Sequence, residues 1–146
     1  MKHISELNSI LSKYRGEFDN YWNDYLIFDA IDIVDKFNDD EWSCLFNILQ
    51  DNKNELWYLA LISILSDIKN FSNALEICIL IFNKGSYAIK IATMDTINSI
   101  ISSRNISKKN IKEIKFMIVN FTPKSTIDDI VYNALLSNLD RMESTL

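Results

Sequence analysis

From Leu56 to Leu65, inside the stretch NELWYLALISILSDI (Asn54–Ile68), the only polar side chain is Ser63, with the Tyr58 hydroxyl as a partial second. A surface helix keeps one wet face, and a half-buried strand alternates apolar with polar residues. This stretch does neither, so the chain must cover it on all sides. The longest apolar run elsewhere, ALEICILIF, is interrupted by Glu76 and is far too short to span a bilayer.

A chain of 146 residues, 48% hydrophobic and 24% charged, is long enough for one domain with a real core. Two glycines and one proline are too few turn formers for a sandwich or barrel. The pattern predicts an all-α fold of about eight helices joined by Asn, Asp, Ser and Lys loops. The first covers Ile4–Tyr14 and ends at Gly16; the second covers Asp19–Phe37; the third starts at a cap on Asp39; the fourth is the apolar stretch. The fifth starts at Ser72 and stops at Gly85 as a left-handed cap. Ser86 caps the sixth, Ser107 the seventh, which ends before Pro123, and Ser125 or Thr126 the eighth. The Ile-rich runs EICILIF and KFMIVNF have strand propensity, but each sits in a longer helical span with caps and no hairpin turn between them. DNKNE (Asp51–Glu55) reads as an inter-helix turn, lacking the glycine and spacing of an EF-hand.

The helices also repeat in pairs. LALISIL, IATMDTI and NALLSNL align Ala60, Ala92 and Ala134 in one column and Leu65, Ile97 and Leu139 in another. The alanines are spaced 32 and then 42 residues apart, the larger gap holding the polar insertion SSRNISKKN. Two-helix units of this length predict an α-solenoid, with an irregular helical bundle as the alternative. An inner helix of such an array touches its partner and both neighbouring units, which accounts for a helix apolar nearly all round. The expected core includes Trp57, Ala60, Leu61, Ile64, Leu65, Ile79, Ala92 and Ile97.

The segment WSCLFNILQDNKNELWYLALISILSDI, Trp42 to Ile68, resembles a HEAT-type repeat: an apolar first helix, an Asp-Asn turn and a second helix with Ala near its start. The basic residue that usually precedes the alanine is replaced here by Trp57 and Tyr58, while Lys90 approaches it in the next unit. A small, acidic, Asn- and Ile-rich chain with such pairs is similar to the immunity proteins of bacterial polymorphic toxin systems, those of contact-dependent growth inhibition in particular. That resemblance implies a non-catalytic protein that binds and neutralises a cognate toxin, and it carries over no individual residue.

The catalytic inventory is thin. His3 is the only histidine, placed where a terminus frays, so Cys–His or Ser–His–Asp chemistry would depend on it. Cys44 and Cys78 read as small core thiols in a reducing compartment; with His3 they do not make a zinc site. No Gly-rich phosphate loop exists. Asp128 and Asp129 are adjacent and suit a helix start better than paired acid–base work. No cofactor or metal is expected. The N-terminus carries Glu6 and Lys13 inside its apolar pattern and reads as no signal peptide, which points to a cytoplasmic chain.

Charge is more informative. The net charge is −5, yet residues 1–41 hold four basic and ten acidic side chains and the remainder is nearly balanced. Such a balance disfavours nucleic acid and anionic membranes as partners. On the second helix one arc collects Trp22, Leu26, Ile27, Ala30, Ile33, Val34 and Phe37. The opposite arc mixes Asp24, Asp29, Asp32 and Asp35 with Tyr21, Tyr25 and Phe28. A solvated face, with the aromatics packed on the first helix and Asp32 paired to Lys36, is one reading. A face that binds a basic protein is the other: aromatics anchor, carboxylates steer. A nuclease-type toxin is basic because it holds nucleic acid, so this face suits it. Six cations, Arg104, Lys108, Lys109, Lys112, Lys115 and Lys124, form an opposite patch, which could meet the acidic end of a second molecule. The competing functions are a helical-repeat adaptor and, further off, a HEAT-like DNA-repair glycosylase.

Overall fold

The structure, a computed structural model, describes residues 1–51 and 54–145. Among these the chain forms eight α-helices and no strand: α1 (Lys2–Leu11), α2 (Ile27–Asp35), α3 (Asp39–Ile48), α4 (Glu55–Leu65), α5 (Phe71–Lys84), α6 (Tyr87–Ser102), α7 (Lys108–Ile118) and α8 (Thr126–Ser144). A π-helical turn, Trp22–Leu26, runs directly into α2. The run EICILIF lies within α5, and KFMIVNF begins in the last turn of α7. The turn expected at Asp51–Glu55 falls partly on positions 52 and 53, outside the described residues.

Helix α4 is the hub, packed against α1, α2, α5 and α6. Of the ten residues from Leu56 to Leu65, only Leu56 is exposed. The polar atoms that enter the core with α4 find partners, as buried polar groups must. Ser63 Oγ donates to the Ala60 carbonyl at 2.7 Å, Trp57 Nε1 to Asn8 Oδ1 at 3.0 Å, and the Tyr58 hydroxyl to the Asp51 carbonyl at 3.0 Å. The even-numbered helices form a row, α2 on α4, α4 on α6 and α6 on α8, while α1 pairs with α2, α5 with α6 and α7 with α8. Helix α3 packs against α1.

Helix starts follow the local chemistry. Asn54, Asn70, Ser86, Ser107 and Ser125 each accept from the backbone N–H three residues on, satisfying one of the donors that a helix N-terminus leaves open. Several boundaries differ from expectation. Asn38, not Asp39, caps α3, because Asn38 and Glu41 form a reciprocal capping box. Helix α1 starts at Lys2 and ends at Leu11, leaving Tyr14 buried in the following loop. Asp19 is a cap rather than a helical residue: its Oδ1 accepts from the Trp22 N–H at 3.0 Å. Gly16 is left-handed at φ +96, but Gly85 is extended at φ −85 and ψ 162. Gly85 is required for space instead, since a Cβ there would lie 2.3 Å from Ile89 Cγ2. Ile79 and Ala92 are only half-buried; Ile77, Cys78 and Ile81 take the core positions of α5. Both cysteines are free thiols, Cys78 buried and Cys44 half-buried. Among the described residues no helix is long and apolar enough to cross a membrane.

Candidate functional site

The π turn sets the orientation of the acidic aromatic segment. Trp22, Leu26, Ala30 and Val34 are all buried at a strict four-residue spacing. In an ideal α-helix each such step drifts by about 40° around the axis. The wider i→i+5 turn at Trp22–Leu26 drifts the other way and keeps the four residues on the core. Tyr21, just before the turn, and Tyr25 within it point outward as neighbours, their ring centroids 6.1 Å apart.

Tyr21, Tyr25 and Phe28 are 58%, 64% and 61% exposed, although Tyr21 also lines a cavity of about 530 Å³ with Tyr14, Arg15 and Glu17 of the preceding loop. Asp24, Asp29 and Asp32 are exposed beside them. None of these three is in an ion pair among the described residues, and the expected Asp32–Lys36 bridge does not form. Asp35 departs from the set. It is half-buried, and its Oδ1 accepts from the Lys69 backbone N–H at 2.8 Å, tying the end of α2 to the loop before α5. Asp29 and Asp32 also overlook an open groove of about 640 Å³ against α1, which Glu6, Lys13 and Lys36 line. Phe18 is also 49% exposed, its ring stacked on Tyr14 at 4.7 Å and 6.4 Å from that of Trp22. Sequence reasoning missed it because it precedes the helix and belongs to no periodic pattern. Beneath this surface the Trp22 indole N–H is buried with no partner among the described residues.

The basic patch divides. Arg104 donates to the Ile100 and Ser66 carbonyls and lies over the Phe71 ring. Lys115 pairs with Asp140 at 2.5 Å and Glu143 at 3.1 Å, and these carboxylates raise its pKa. Lys124 sits over the Tyr87 ring. Lys108, Lys109 and Lys112 remain exposed and outside any ion pair among the described residues. His3 is held by Glu41, and among the described residues no three His, Cys, Asp or Glu side chains converge as a metal would require. Burial pushes the Cys78 thiol far up, so it stays protonated.

A scan against family models, a search of curated proteins and a search of solved structures each find no match.

Proposed function

We propose that this chain is a non-catalytic immunity protein that neutralises a cognate toxin by binding it, the toxin being a basic, nuclease-type domain. The observation that carries the reading is the π turn–α2 face: three exposed aromatics set among three exposed carboxylates outside any described ion pair. Large apolar side chains left in water suit burial against a partner. Unpaired carboxylates around them raise the rate at which a basic partner is captured, and speed matters for a protein that must reach a toxin before the toxin acts. Asp35 contributes to the field but is committed to Lys69. The reading places the chain in a bacterial cytoplasm with its toxin.

The row of even-numbered helices favours a second reading, a HEAT-like helical-repeat adaptor. A glycosylase has less support, because half of its candidate basic surface is occupied internally. The test is co-expression with the product of the gene directly upstream, which this reading expects to be a toxin. Survival is expected with the wild-type chain and is expected to fail with Tyr25→Ala/Asp32→Lys at unchanged helical content. Protection that ignores this double change sinks the proposed face, and a neighbour with no toxicity favours the adaptor.

A further inference from the structure

A second exposed stripe, on α7, complements the α2 face. Lys109, Lys112, Phe116 and Val119 recur at helical spacing and all are exposed, Phe116 by 82% and Val119 by 62%. Cations occupy the start of this stripe and apolar side chains its end. Along the π turn and α2 the order is reversed, with Tyr25 in the turn and Asp32 seven residues later on α2. Seven residues also separate Lys109 from Phe116 within α7, a rise of about 10 Å. Laid antiparallel, the two stripes bring Tyr25 against Phe116, Asp29 toward Lys112 and Asp32 toward Lys109 in a single register.

Each stripe also carries charge of the sign its own helix end disfavours. Lys108 and Lys109 stand in the first turn of α7, where α3 and α8 carry acidic residues. Asp32 and Asp35 stand at the end of α2, which has no basic residue in its last turn. A helix dipole prefers the opposite arrangement at both places. Antiparallel contact sets the negative end of α2 beside the positive end of α7, so the charges that oppose their own dipoles then face each other. Helix α2 and the α7–α8 pair lie at the two ends of the row of helices, so the stripes of one molecule do not meet each other.

We propose that the chain self-associates head to tail, the α2 face of one copy docking antiparallel on the α7 stripe of the next. The contact is heterologous, so it propagates into open chains or closes into a ring. It requires no toxin, and a second copy and a toxin would compete for α2.

Sedimentation velocity of the purified chain tests this over a rising concentration series at low and high salt. Growth into larger species is expected at low salt and retreat at high salt. Asp32→Lys or Lys109→Glu alone is expected to weaken association by about tenfold or more. An equimolar mixture of the two variants is expected to regain it, because each reversed charge then meets the other. Unchanged circular dichroism in both variants separates lost contact from lost fold. A wild-type chain that stays monomeric throughout at low salt overturns the proposal. So does association that ignores both variants, or a mixture that fails to recover. No toxin enters the experiment, so its result is independent of the toxin reading.

Discussion

His3 Nδ1 lies 2.8 Å from Glu41 Oε2, joining the first turn of α1 to the N-terminus of α3. The histidine ring stacks beside Phe37, with centroids 6.5 Å apart, so the residue expected to fray is fixed. Glu41 is buried and also accepts from the Asn38 backbone N–H at 3.1 Å. Burial pushes its carboxyl up, but the hydrogen bonds from Asn38 and His3, with the His3 charge, outweigh that and hold it below the ordinary glutamate value. A carboxyl lowered in the folded state contributes stability above its unfolded value and loses it as pH falls through its folded value. Acid unfolding followed by circular dichroism should therefore show a stability loss below the ordinary glutamate range, and Glu41→Gln should flatten it. His3→Ala should remove the same contact, and under the proposed reading it should leave protection per folded molecule intact.

Core packing gives the second prediction. Ile64 is fully buried on α4, and Ile64→Ala should cost about 2–5 kcal/mol through lost transfer energy and the cavity left behind. Ala134→Ser, on the exposed side of α8, should stay within about 0.5 kcal/mol of wild type in urea denaturation.

These two sites show how far the fold was legible. Leu65, Ile97 and Leu139 are all buried, so the repeating large residue on α4, α6 and α8 was read correctly. The alanine column was not a packing column throughout: Ala60 is fully buried, Ala92 half-buried and Ala134 exposed. A small side chain fits a close approach and equally a wet surface, so its recurrence says little about burial. The all-apolar α4 was legible because its residues leave few alternatives. The packing of α3 on α1 was not, since the Trp42–Ile68 unit was expected as an antiparallel pair. Of the seven residues read onto the acidic aromatic arc of the second helix, six were found exposed. Asp35 was misread, because its partner Lys69 lies 34 residues away and accepting a backbone N–H leaves no sequence pattern. The π turn was likewise invisible to reasoning at a uniform 3.6 residues per turn.

Trp22 supplies the third prediction. Its indole N–H is buried without a partner among the described residues, a state that costs about 1–3 kcal/mol. Trp22→Phe removes that donor while keeping an aromatic ring against Tyr14, whose centroid is 5.3 Å away. The relief offsets part of the lost volume, so the variant should lie within about 1.5 kcal/mol of wild type. Trp22→Ala should cost about 3–5 kcal/mol. A loss in Trp22→Phe well above about 1.5 kcal/mol, measured by chemical denaturation, would show that the donor is satisfied in solution.

The last prediction separates what the charges do for the fold from what they do for a partner. Asp32 near the end of α2 and Lys109 in the first turn of α7 each oppose the local helix dipole. Both are exposed, and neither is in an ion pair among the described residues. If their only role were a solvated surface, reversing them would gain stability and lose nothing. At concentrations too low for self-association, Asp32→Lys and Lys109→Glu should each raise the stability of the monomer by about 0.3–1 kcal/mol at low ionic strength, with the gain fading in salt. Under the proposed reading, Asp32→Lys should at the same time slow capture of a basic toxin, because carboxylates beside aromatic anchors set the association rate. Thermal unfolding of the chain and stopped-flow association with the toxin domain read the two effects separately. A variant that becomes more stable and binds more slowly fits a face retained for its partner; one that becomes more stable and binds at the wild-type rate removes Asp32 from the interface.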